Sequence, residues 1–225
     1  MTQDFKILTG QTQDHIEWIE PKIGVHADLV TPLNQLKKAA FDAGFELTVC
    51  SGFRSFDSQL AIWNGKATGQ RPVLDSQGKK LDTRKMNPDS IMFSILRWSA
   101  LPGLSRHHWG TDLDVFDMRT FPKNYQLQLV REEFEGAGYF AALHDWLDKN
   151  LSSFGFFRPY AKDLGGVSPE RWHISYAPLA QEYWKNLTLD HIRKVLSQIE
   201  FELKSQVEIA LPEIYERFFQ RISPV

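Results

Sequence analysis

One cysteine, Cys50, among 225 residues rules out an internal disulfide and any thiolate cluster that could hold a structural metal. Long apolar runs are missing too: no stretch of about 18 apolar residues occurs, the length a membrane-crossing helix requires. Nor is there a block of like charge. Lys and Arg total 26 against 28 Asp and Glu, a net charge of -2, so nothing is built to neutralise a phosphate backbone or to dock on an anionic membrane. Neither nucleic acid nor membrane is expected as a partner. The first residues, Met1-Thr-Gln-Asp-Phe-Lys6, lack the basic then apolar order of a signal peptide. The expectation is a cytoplasmic protein, or a periplasmic one had a leader been removed. What is present is the composition of a globular chain, 42% hydrophobic, 13% aromatic and 24% charged, which excludes collagenous, disordered and disulfide-scaffold classes. Any metal must be held by His and carboxylates.

Apolar residues Leu29, Val30, Leu33, Leu36 and Ala40 recur at spacings of three and four before Gly44, which predicts a helix over 28–43. The alternating run at 45–50 predicts a strand ending at Ser51-Gly52, so that Arg54 sits at its exit. Helical spacing resumes at 56–66. Residues 67–90 carry Gly, Pro, Asp, Ser and Lys in quantity and read as a long irregular excursion, a candidate lid or interface. Further helices are expected at 91–101 and 138–150, and strands at 111–116 and 172–176. From Leu187, the residues Ile192, Val195, Leu196, Ile199 and Leu203 form one helical stripe, with Pro212 breaking or restarting it. No internal repeat is visible. The reading is a single domain over 1–225 of α+β class, a small central antiparallel sheet flanked by helices, with a helical C-terminal extension over about 187–225.

Three short stretches hold most of the groups able to bind a metal or move a proton: 51–59, 105–114 and 170–173. A catalytic zinc needs three N or O ligands from the protein and an open fourth position for water. His107 and Asp114 could supply two, because Gly110 lets the loop fold back so that a turn residue and a strand residue face one point. His173 could be the third. Glu170, three residues earlier, would then stand near the metal, where a general base is needed. Arg54 places a permanent charge and a planar fork of donors at a strand end, suited to a substrate carboxylate or a developing oxyanion. Each stretch taken alone also fits a bland role: a polar surface loop, a satisfied strand histidine, a solvated arginine.

Together they resemble a known family. Ser51-Gly-Phe-Arg-Ser55 with Gln59, then Ser105-Arg-His107-His-Trp-Gly110-Thr-Asp-Leu-Asp114, then Glu170-Arg-Trp172-His173 are similar to the signature segments of the M15 metallopeptidases, the D-alanyl-D-alanine carboxypeptidase and dipeptidase group. The middle segment matches the pattern S-x-H-x-x-G-x-A-x-D except that Asp112 replaces the usual Ala. The resemblance spans about 25–178. It implies one zinc ion held by His107, Asp114 and His173, with Glu170 as catalytic base, Arg54 polarising the scissile carbonyl, and Gln59 and Ser105 near the substrate. Asp112 would not be a ligand; it could pair with Arg106 or a substrate amine. His108 occupies a position that varies in the pattern and is expected outside the metal's immediate ligands.

The activity so implied is a zinc carboxypeptidase that removes a C-terminal D-alanine from a peptidoglycan stem peptide. Two bonds are open to it: the DD type, between two D-alanines, and the LD type, in tetrapeptides of murein recycling. Two rivals are a phage-type endolysin of the same fold and a non-catalytic zinc-bearing peptidoglycan-binding module. The presence of Glu170 argues against the second, and the lack of cell-wall-binding repeats against the first.

Overall fold

The computed structural model describes residues 3–225. Its elements, in chain order, are α1 (Gln3–Leu8), the hairpin β1 (Ile16–Glu20) and β2 (Ile23–His26), α2 (Val30–Asp42), β3 (Leu47–Ser51), α3 (Phe56–Ala67), α4 (Pro88–Leu96), β4 (Asp112–Asp117), α5 (Arg131–Phe134), α6 (Ala141–Asn150), β5 (Phe156–Phe157), β6 (His173–Tyr176), α7 (Ala177–Asn186), α8 (Leu189–Leu196) and α9 (Lys204–Ile214). Among the described residues no helix is long and apolar enough to cross a membrane.

A four-stranded sheet in the order β3-β4-β6-β5 forms the centre, and every neighbouring pair in it is antiparallel. Side chains alternate across its faces, as strand geometry requires. Leu47, Val49, Leu113, Val115 and Ile174 point into an apolar layer built with Leu33, Leu36 and Ala40 of α2 and Leu143 and Leu147 of α6. The opposite face of β4 and β6 carries Asp112, Asp114, His173 and Ser175, all buried. A second apolar cluster gathers α3, α4 and the C-terminal helices around Trp63, Ile95, Trp109, Ile192, Leu211 and Phe219. The polar face of the sheet therefore lies under a helical layer instead of open solvent. This is the α+β arrangement expected from the sequence.

The departures are local. The hairpin β1–β2, in which Ile16 pairs with His26, is an addition to the elements expected. Helix α4 starts at Pro88, capped by the Asn87 side chain accepting from the Ser90 N–H, so the irregular excursion is shorter than expected. The C-terminal stripe is not one helix. It breaks after Leu196, and the chain restarts at Leu203, which adopts a left-handed backbone (φ 62°) before α9. Pro212 lies inside α9 and does not break it at that residue; the chain instead widens into π-helical turns over Tyr215–Gln220 immediately after the helix ends.

This tail braces the loop that leads to Glu170. The Ser223 N–H donates to the Pro159 carbonyl at 2.8 Å, and the Arg217 guanidinium reaches the Gly165 carbonyl. Gly166 packs so closely that a Cβ there would stand 1.9 Å from the Arg217 carbonyl oxygen. From the other side the loop is held by Arg97, which pairs with Asp163 at 2.8 Å and accepts at its carbonyl from the Ser168 N–H.

Candidate metal centre

Strand register assembles the site. Ser51 of β3 stands opposite Asp114 of β4, and Asp114 opposite His173 of β6, so one row across three strands carries three of the residues singled out from the sequence. His107 joins them from the turn before β4, a 3-10 helix over Arg106–Trp109 closed by Gly110 in the left-handed conformation (φ 68°). That glycine is obligatory on two counts. Its φ disfavours a side chain, and a Cβ would press to 2.7 Å on the backbone nitrogen of His26, which itself donates to the Gly110 carbonyl.

His107, Asp114 and His173 each offer a ligand atom within 4.8 Å of the others, the one such group of His, Cys, Asp and Glu among the described residues. The His107 Nε2 lies 3.5 Å from Asp114 Oδ2, and His173 Nδ1 lies 3.2 Å from Asp114 Oδ1. The His107 Nδ1 is occupied at 2.9 Å by the Gly52 carbonyl, an acceptor, so that nitrogen carries the hydrogen and Nε2 is left to face the carboxylate. Asp114 Oδ1 is buried with no hydrogen-bond partner among the described residues, although His173 Nδ1 stands 3.2 Å away. A buried carboxylate oxygen with an open lone pair between two imidazoles is a donor set that fits a cation.

The electrostatics agree with that chemistry. Burial pulls the His107 imidazole down to about 4. Burial pushes the Asp114 carboxyl up, but the neighbouring His107 and His173 rings outweigh it and hold the group at about 2. For His173 burial acts downward, and the carboxylates of Asp112 and Asp114 overcome it, raising the ring to about 9. The cluster thus keeps net affinity for positive charge although its groups are largely withdrawn from water.

Glu170 lies at the mouth of this group. The His173 N–H donates to its carbonyl, and the tight turn brings Oε2 to 3.8 Å from His173 Nδ1. Burial lifts its carboxyl to about 7, the poise at which one group can both take and give a proton near neutrality. Arg54 follows β3 on a pinned turn: the Phe53 N–H donates to Gly24 and the Arg54 N–H to His107. Its guanidinium donates to Gln59 Oε1 at 3.0 Å and to Ser51 Oγ at 3.1 Å. Gln59 is fully buried and uses its other amide end on the Ala100 carbonyl, so it stands behind Arg54 and does not line the cleft.

These groups open on a cleft of about 400 Å³ between the sheet and α3, lined by Arg54, Ser105, His107, Asp114, Glu170 and His173. Sequence reasoning missed several of its walls. Lys66 and Arg71 add cationic groups; Lys66 donates to Ser99 Oγ at 2.6 Å, and burial lowers its ammonium to about 8. Tyr160 packs its ring 4.9 Å from that of His173. Lys66 lies three turns into α3 from Arg54, and a helical projection from the Gly-Phe-Arg turn was the available signal. Tyr160 had none. Asp112 pairs with Arg106, one of the two partners expected for it, at 2.7 Å. His108 is buried away from the cleft, its ring held by the Arg54 carbonyl and the Gly103 N–H.

The stretch that carries these residues also matches known proteins. Residues 22–179 match the family described as "VanY: D-alanyl-D-alanine carboxypeptidase". An uncharacterised protein of Haemophilus influenzae is 46% identical over 79 residues, 34% of this chain and 60% of that protein. A D-alanyl-D-alanine carboxypeptidase of Enterococcus faecalis is 27% identical over 147 residues, 64% of this chain and 45% of that one. The chain therefore matches well under the full length of these relatives. A crystal structure of the vancomycin resistance D,D-pentapeptidase VanY, a point mutant in complex with Zn(II), shares the fold with a TM-score of 0.53 at 22% identity, over 80% of this chain and 90% of that one. With the family match covering more than half of its length, the chain belongs to the VanY D-alanyl-D-alanine carboxypeptidase family.

Proposed function

We propose that this protein is a zinc-dependent carboxypeptidase that removes the C-terminal D-alanine from peptidoglycan stem peptides ending in D-alanyl-D-alanine. The observation that carries the reading is the convergence of His107, Asp114 and His173 on one buried point, with Glu170 and Arg54 facing the same cleft. Two imidazoles and one carboxylate form a three-ligand set of the kind catalytic zinc sites use. When bound there, zinc supplies Lewis acidity, polarising a carbonyl and making water more acidic.

The chain's own groups do the rest. Glu170 takes a proton from the attacking water as the new C–O bond forms, and delivers it to the amine nitrogen as the C–N bond breaks. Free D-alanine and a peptide shortened by one residue leave. Arg54, held in place by Gln59 and Ser51, donates to the carbonyl oxygen as it gains negative charge. Lys66 and Arg71 give the cleft a cationic wall suited to the free carboxylate at a peptide's end, the feature that separates a carboxypeptidase from an endopeptidase.

The test is mass spectrometry of muropeptides digested with the zinc-loaded protein. The pentapeptide stem should lose one alanine, a tetrapeptide should persist, and a chelator should stop the reaction. Trimming of the tetrapeptide alone would move the cleaved bond to the LD type, and an unchanged mass for both would refute the activity.

A further inference from the structure

Asp112 is where this chain departs from the pattern of its signature segment, which carries Ala there. It is wholly inaccessible to solvent, and it stands opposite Ser175 on the same face of the sheet as the Asp114–His173 pair. Both of its carboxylate oxygens are doubly engaged. Oδ1 accepts from Arg106 Nε at 2.7 Å and from His173 Nε2 at 2.9 Å; Oδ2 accepts from the Thr111 hydroxyl at 2.8 Å and the Ser175 hydroxyl at 3.0 Å. A carboxylate offers no hydrogen of its own, so His173 Nε2 must carry one. The ring's other nitrogen, Nδ1, is the atom that faces Asp114 and Glu170. Alanine at this place could do none of this.

We propose that Asp112 is a positioning residue for metal capture: its carboxylate, bonded to His173 Nε2, fixes the ring's tautomer and rotation so that Nδ1 presents its lone pair to the point shared with His107 and Asp114. The proposal rests on the reading of those three residues as ligands. A carboxylate behind a ligating imidazole also makes the ligating nitrogen a better donor, and such partners are typically worth about 10–100-fold in metal affinity or activity. The rival role is charge compensation for Arg106, which is buried over the Trp109 ring at 4.9 Å and has Asp112 as its ion-pair partner. Both roles can be held by one carboxylate, but they separate experimentally.

The experiment measures zinc affinity by competition with a chromophoric chelator, and the visible spectrum of the cobalt(II)-substituted protein, for the parent, Asp112→Asn, Arg106→Met/Asp112→Ala and His173→Ala. The double variant removes the buried pair together and is expected to stay folded even where Asp112→Asn, which leaves the Arg106 charge uncompensated, does not. The proposal expects both Asp112 variants to bind zinc about 10–100-fold more weakly than the parent, with displaced cobalt absorption bands. Parental affinity and spectrum in Asp112→Asn, or recovery of both in the double variant, would overturn it and leave Asp112 as the counter-charge of Arg106. A parent without zinc affinity, or a His173→Ala protein that binds as tightly as the parent, would instead refute the ligand set, so the two failures are told apart.

Discussion

His107 and His108 are neighbours on one turn, both buried, and they belong to two different regions. His107 turns toward the polar face of the sheet, where Asp114, Asp112 and Glu170 converge with His173. His108 turns the other way, under Gly10 and beside Phe56, where backbone groups satisfy both ring nitrogens and no carboxylate among the described residues approaches within ion-pair distance. Burial pulls its ring down to about 3, so it is a neutral, structural imidazole that ties the Arg54 carbonyl to the Gly103 turn. The difference teaches that histidine is not the informative residue here. Carboxylates on alternate positions of β4, aimed at one face by strand geometry, give a pair of imidazoles the company a cation site would need.

Substitutions on the two sides should part accordingly. The largest effect is expected for His173→Ala: it removes one of the three proposed ligands, so zinc content measured after dialysis should fall to background, and hydrolysis with it. Stoichiometric zinc in that variant would end the distinction between the regions. His108→Ala should cost stability instead. It strands the Gly103 N–H and the Arg54 carbonyl and leaves a void, a loss of about 2–4 kcal/mol in thermal or denaturant unfolding. Its zinc content should match the parent's; loss of the metal here would place His108 inside the site it is argued to lie behind.

Much of the site was legible because the chemistry-bearing residues sit in three short segments of fixed internal spacing. Within each, a turn or a strand period decides which way a side chain faces: Gly110 returns the chain so that His107 meets Asp114, and the tight turn at 170–173 sets Glu170 beside His173. What joins segments was not legible. The bond from Asp112 to His173 exists only because β4 pairs with β6 in one particular register, and a spacing pattern cannot state register between strands about 60 residues apart. The tail shows the same limit. Its apolar period runs unbroken through Leu203, yet the helix ends at Leu196, because Ile199 and Leu203 reach the same core from a turn. The β1–β2 hairpin, closed by Pro21-Lys22, carries β-forming residues but little alternation, its first strand being largely exposed.

The central claim is that the His107, Asp114 and His173 row holds the metal while Glu170 moves the proton. The most direct test is Glu170→Gln, with zinc content and peptide hydrolysis measured on the same preparation. The variant and the parent should both carry one zinc per chain, and the variant should hydrolyse a D-alanyl-D-alanine peptide about 10²–10⁴-fold more slowly. Hydrolysis at the parental rate, with the zinc still bound, would contradict the account.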